Sequence, residues 1–135
     1  MDLVALSTVA RGLLSGKLTD VARQEPKDSR HGMPRFEPSN YAGNLKLLPA
    51  YLAVAREVGC TPAQLALAWL LHKAPHVIPL FGTISLEHLA ENVAAANVKL
   101  GPAIMAKVEG LINQQTVVGN RYSAQSNSEV DTEVF

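Results

Sequence analysis

Two short stretches of this chain carry residues able to hold an anion. The first is Ser7-Thr8-Val9-Ala10-Arg11-Gly12, running on through Ser15-Gly16-Lys17. Small residues and glycines let the backbone approach a ligand closely, and Arg11 and Lys17 supply positive charge. The second is Gly82-Thr83, just ahead of Ser85. A strand that ends in glycine and feeds a serine-capped helix aims unpaired N–H groups and the positive end of the helix dipole at whatever sits above it, which favours a phosphate. Thr83 and Ser85 add hydroxyl donors. Each stretch also has a plainer interpretation, as an inert basic loop and as an ordinary tight turn with a capping serine. One turn into the same helix, His88, Glu91 and Asn92 stand at i, i+3 and i+4 and so share a face. An amide and a carboxylate there suit the edge of a purine. The same triplet equally fits the wet side of an amphipathic helix.

Other chemistries find no support. Gly12 and Gly16 do not make the Gly-x-Gly-x-x-Gly dinucleotide spacing. No nucleophile, base and orienting group assemble from the Ser, His and Asp positions, so no catalytic residue is assigned. His88 has no second ligand at useful spacing, and no Cys and His residues cluster as a zinc site would require, so no metal is expected. The lone Cys60 can form no internal disulfide and reads as a small residue beside a helix start.

The elements that must position these residues alternate between strand and helix. Strand 3–7 is short and mostly apolar, as a strand buried on both faces would be. Positions 8–44 are rich in Gly, Pro, Asp, Arg and Ser and predict a long loop, the kind of segment that often serves binding. A helix over about 48–58 has Leu48, Leu52 and Ala55 on one side, Pro49 near its start and Gly59 as its stop. Thr61-Pro62-Ala63-Gln64 has the hydroxyl cap, first-turn proline and third-position amide of a helix start, and predicts a helix over 62–72. Its body, Leu65 to Leu71, is apolar all round and calls for cover on every side. Strand 76–80 follows. Ser85 then caps a helix over 86–96 with an apolar stripe of Leu86, Leu89 and Val93, opposite Glu87, His88, Glu91 and Asn92. A last helix spans 102–114, and 115–135 reads as a polar tail. This order is that of an α/β protein with parallel strands, and two strands alone leave open edges, as in a slice of a larger sheet.

Size and charge narrow the setting. The chain has 135 residues, 47% of them hydrophobic and 18% charged, which fits a single globular domain. Twelve basic residues balance twelve acidic ones, so nothing draws the chain to nucleic acid or a membrane surface. The longest apolar run, Leu65 to Leu71, is far short of the roughly 20 residues needed to cross a bilayer. With no signal-like start either, the expected location is the cytoplasm.

Several motifs in register resemble the aldo-keto reductase family. Ser7 to Lys17 is similar to the family's seventh-strand signature of Tyr-Ser-Pro-Leu-Gly-Arg-Gly, a hydrophobic pair and Thr-Gly-Lys. Pro34-Arg35-Phe36, Thr61 to Trp69, and Gly82-Thr83 followed by Glu91-Asn92 match in order and spacing, and Gly119-Asn120-Arg121-Tyr122 resembles the closing segment. The resemblance implies the C-terminal part of a (β/α)8 TIM barrel: the last two β/α units, a C-terminal helix and a tail. It implies an oxidoreductase that reduces aldehydes or ketones with NADPH, of which this chain supplies the cofactor-binding portion. Ser7, Val9 and Arg11 would hold the pyrophosphate, with Lys17 and Arg30 closing over it. Gly82 and Thr83 would lie at the adenosine 2′-phosphate, with His88, Glu91 and Asn92 near the adenine.

The chain departs from the family at Leu6, where an aromatic residue usually stacks on the nicotinamide, and at Thr8 and Ala10, which replace Pro and Gly. The family's catalytic Asp, Tyr, Lys and His belong to the first half of the barrel, so none is assigned here and the chain alone is expected to lack activity. The other reading is a non-enzymatic barrel fragment that associates with itself or a partner through open strand edges and the apolar Leu65 to Leu71 helix.

Overall fold

Two parallel strands and a set of helices make up the part of the chain that the computed structural model describes, residues 1–18, 20 and 25–129. Strand β1 (Leu3–Ala5) pairs in parallel with β2 (Val77–Pro79), with Leu3 opposite Val77 and Ala5 opposite Pro79. Between them lie α1 (Pro38–Leu45), α2 (Leu48–Val58) and α3 (Pro62–Lys73); after them come α4 (Leu86–Ala94), α5 (Pro102–Leu111) and the short α6 (Ala124–Ser128). The chain is thus α/β with a small parallel sheet. Among the described residues no helix is long and apolar enough to cross a membrane.

Helix boundaries follow local chemistry. Thr61 Oγ1 accepts from the Gln64 N–H at 3.1 Å while the Thr61 N–H donates to Gln64 Oε1 at 3.1 Å, a closed capping box with Pro62 in the first turn. Gly59, at φ 78°, ends α2 in the left-handed conformation that glycine adopts without strain. At the far end of α5, Asn113 Nδ2 donates to the Glu109 carbonyl at 2.8 Å and Thr116 Oγ1 to the Leu111 carbonyl at 2.8 Å. Side chains take over those carbonyls, so the helix stops at Leu111 rather than reaching 114.

Other boundaries also differ from the sequence expectation. The stretch 8–44 contains 3₁₀ turns at Ala10–Ser15 and Pro34–Phe36, and it runs into α1. Strand β1 stops at Ala5, and Ser7 already has φ 57°. Residues 95–97 form a 3₁₀ turn rather than continuing α4, and the tail includes α6.

The main core is built by helices. Tyr51, Val54 and Ala55 of α2, Leu65 and Ala68 of α3, Val108 of α5 and Leu100 form one cluster, edged by Trp69, Ile104 and Met105. Leu65 and Ala68 have no exposed surface. Burying a leucine this fully contributes roughly 1.5–3 kcal/mol. A smaller cluster of Leu18, Phe36 and Tyr41 packs under the loop, with the Phe36 and Tyr41 rings stacked 5.5 Å apart.

Two expectations about burial are corrected. Leu3, Val4 and Leu6 are each more than half exposed, so the first strand is covered on neither face as its apolar sequence suggested. Helix α4 is turned over: Leu86, Leu89 and Val93 face outward at 85%, 43% and 60% exposure, while Glu91 and Asn92 are half-buried. The reason is its partner. Helix α4 packs on α3, and Gln64 Nε2 donates to the Glu91 carbonyl at 2.9 Å, which fixes the Glu91 side toward the helix pair.

Candidate functional site

Both anion-holding stretches leave the same end of the two-stranded sheet. Thr8, buried just past β1, donates through Oγ1 to the Leu80 carbonyl just past β2 at 3.4 Å. Further out, Lys17 Nζ lies 3.3 Å from His88 Nε2. Parallel pairing makes this juxtaposition unavoidable, because parallel neighbours have their C-terminal ends, and the loops that leave them, on one side.

The loop after β1 has unusual backbone. Ser7, Ala10 and Arg11 have φ of 57°, 50° and 53°, and Gly12 has 97°. Left-handed geometry costs a non-glycine residue of order 1 kcal/mol or more, so the surroundings must enforce it. They do so with tight turns: the Ala10 N–H donates to the Ser7 carbonyl at 2.8 Å, the Gly12 N–H to Val9 at 3.0 Å, and Ser15 Oγ to Gly12 at 2.6 Å. Gly16 has φ 73°, the left-handed backbone that glycine adopts without strain, and a side chain there would also press on the Leu52 tip at 2.9 Å as the loop lies on α2.

Arg30 closes over this loop. Its Nη1 donates to the Arg11 carbonyl at 3.2 Å, and its Nε donates to Asp28 Oδ1 at 2.8 Å. The Asp28 carboxylate accepts from Arg30 Nη2 as well, and the Arg30 backbone N–H donates to it at 2.9 Å. These hydrogen bonds hold Asp28 down at about 2. Arg11, Asp28, Ser29 and Arg30 together line an open concavity. Asp28 was not among the sequence candidates, and nothing but its place two residues before Arg30 marks it.

Across the sheet end, Phe81, Gly82, Thr83, Ser85, Leu86 and Leu89 line a second open concavity. Thr83 Oγ1 accepts from the Ser85 N–H at 3.1 Å, and Ser85 Oγ accepts from the His88 N–H at 3.3 Å. The serine cap therefore takes one of the N–H groups that the dipole argument had left for a ligand. Gly82 has open space where a side chain would begin.

The ten candidates do not converge on one point. Arg11 and Arg30 share the first concavity, Gly82 and Thr83 the second, and Lys17 with His88 joins the two sides. Ser7 is exposed beside the strand end and Val9 is half-buried, its carbonyl taking the Gly12 and Leu14 N–H groups. Glu91 and Asn92 are half-buried on α4, and it is the Glu91 main chain that Gln64 holds. Among the described residues no group of three or more His, Cys, Asp or Glu is placed to hold a metal ion.

Comparison with known proteins gives concordant results. A family model described as the aldo/keto reductase family matches residues 1–113. The chain is also similar to the aldo-keto reductase str7 of Strobilurus tenacellus, with 32% identity over 132 residues. That alignment covers 98% of this chain and 39% of the relative, so the chain spans well under half the relative's length.

Proposed function

The chain belongs to the aldo/keto reductase family, and on that premise we propose that it is the NADPH-binding C-terminal portion of an oxidoreductase that reduces aldehydes or ketones. The observation that carries this reading is the closeness of the two loops, with Thr8 bonded to Leu80 and Lys17 beside His88. A nucleotide with several phosphates needs cationic groups and free amides spread over about this kind of shared surface.

The residues present fit such a group. Gly12 keeps the loop after β1 clear, since a side chain there would begin 3.3 Å from Arg30 Nη1. Ser7, Val9 and Arg11 would hold the pyrophosphate, and Arg30, steadied by Asp28, would close over it with Lys17. Gly82 and Thr83 would take the 2′-phosphate; His88, Glu91 and Asn92 would lie at the adenine end. When bound, the cofactor supplies hydride. This chain's own part is to hold and orient. Leu6, 60% exposed and aliphatic, offers the nicotinamide no aromatic face. No residue of the chain is given the proton-donating role, and the carbonyl substrate belongs to the whole reductase.

Titration with NADPH tests the reading, first on the chain alone and then on the chain co-expressed with the part of a family member that it does not match. Binding should appear and weaken at least tenfold in Lys17→Gln. Absence of binding in both settings would remove it.

One observation supports the other reading, a barrel fragment that associates with itself. Leu3, Val4, Leu6, Ile78 and Leu80 are at least half exposed beside open strand edges, and Ile84, Leu86 and Val93 are exposed as well. An apolar surface of this kind marks an interface in a soluble chain.

A further inference from the structure

At the edge of the nucleotide surface proposed above, two arginines lie against one aromatic ring and a third is held near them. The Arg121 guanidinium carbon is 5.2 Å from the Tyr122 ring centroid, and that of Arg11 is 5.7 Å away. Arg35 stands close enough to feel both: its pKa lies below the ordinary arginine value, through burial first and then the charges of Arg121 and Arg11. Among the described residues none of the three has a carboxylate partner. Ion pairs elsewhere among the described residues include Arg30 with Asp28, Lys73 with Glu109 and Lys107 with Glu57.

The grouping is enforced by structure that has nothing to do with charge. Asn44 is 1% exposed; its Nδ2 donates to the Arg35 and Val118 carbonyls at 3.1 and 2.9 Å, and its Oδ1 accepts from the Val118 N–H at 2.8 Å. Gly119, at φ 91°, lies so close to the chain at Pro34 and Arg35 that a side chain would start 2.9 Å from the Pro34 carbonyl. Arg35 Nε completes the clamp by donating to the Gly119 carbonyl at 3.1 Å. The segment that bears Arg121 and Tyr122 is thus pinned beside Arg35 and the loop of Arg11.

Holding like charges together opposes folding, and the opposition grows as burial lowers the effective dielectric. An oxyanion among them reverses the sign: repulsion becomes charge-assisted hydrogen bonding, and planar guanidinium groups suit paired oxygens.

We propose that Arg11 and Arg121, against the Tyr122 ring, and Arg35, bonded to Gly119 two residues before Arg121, form between the loop after β1 and the segment after α5 a receptor for the oxyanion of a small molecule, a carboxylate or a phosphate. The site shares only Arg11 with the nucleotide surface. Its ligand is therefore a second molecule or a second group, bound next to the cofactor rather than in its place.

The test is calorimetric titration of the full chain with inorganic phosphate and, separately, with succinate, against sodium chloride at matched ionic strength. Binding of either probe is expected, and whichever binds more tightly identifies the ligand class. Arg121→Gln, an exposed position outside the nucleotide set, should lose at least tenfold in affinity for that probe. Its circular dichroism and its NADPH titration should match those of the unaltered chain. As a readout without variants, the better probe should protect Arg11, Arg35 and Arg121 together from phenylglyoxal, read by mass spectrometry. No binding beyond the chloride control, undiminished binding in Arg121→Gln, or displacement of the probe by NADPH would each overturn the proposal. Failure of NADPH to bind while phosphate or succinate still binds would sink the nucleotide reading and leave this one standing.

Discussion

Asn44 makes the sharpest test of how the C-terminal segment is held. Its side chain satisfies three backbone groups at once, the carbonyls of Arg35 and Val118 and the N–H of Val118, from a position that is 1% exposed. Asn44→Ala removes all three bonds. A hydrogen bond of this kind is worth about 1 kcal/mol net, and more where the abandoned group stays dry. Val118 is 45% exposed, so water reaches its side of the clamp and the lower figure applies there. The expected loss is about 3 kcal/mol, a large part of the 5–15 kcal/mol typical of a domain.

Asn44→Asp discriminates further. It keeps an acceptor for the Val118 N–H but sets a carboxylate against two carbonyls, so at neutral pH it should cost more than the alanine variant and recover part of the loss when protonated in acid. Urea unfolding followed by circular dichroism gives the stabilities, and hydrogen exchange over 116–123 locates the effect. A loss below 0.5 kcal/mol for Asn44→Ala, or an aspartate variant as stable as the parent at pH 7, would refute the clamp.

Three further outcomes follow from the same structure. Thr61→Ala opens the capping box and should cost about 1 kcal/mol, with Thr61→Ser recovering most of it in the same unfolding assay. The Asp28 carboxylate is depressed from 3.8 to about 2, so its pairing with Arg30 stays intact above pH 4 and fades as the pH falls toward 2; the carboxyl carbon shift in a nuclear magnetic resonance titration reports it, and a midpoint near 4 would contradict the pairing. Leu86→Lys with Val93→Lys should abolish any concentration-dependent association seen by light scattering, and a parent chain that stays monomeric throughout removes the self-association reading.

Local signals were the legible ones. Thr61 and Gln64 sit three residues apart and bond each other, and Ser85 caps α4 through the His88 N–H, so both helix starts could be read from the sequence alone. Helix α1 was hidden, because Ser39, Asn40, Gly43 and Asn44 are poor helix formers; its place is fixed by distant partners, among them the Tyr41 hydroxyl bonded to the Leu18 carbonyl. Periodicity found the apolar stripe of α4 but not which way it faces, since that depends on what α3 offers to pack against. The candidate site was legible as two separate loops. Their meeting at Lys17 and His88, 71 positions apart, and the meeting of Arg35 with Gly119, 84 apart, belong to the fold and leave no trace in spacing.

Hydrogen exchange with mass spectrometry, run on the chain with and without saturating NADPH, bears most directly on the central claim. One nucleotide spanning both loops should slow exchange in residues 7–17 and in residues 82–92 together, at the same NADPH concentration. Protection confined to one loop, or found in neither, would contradict the account.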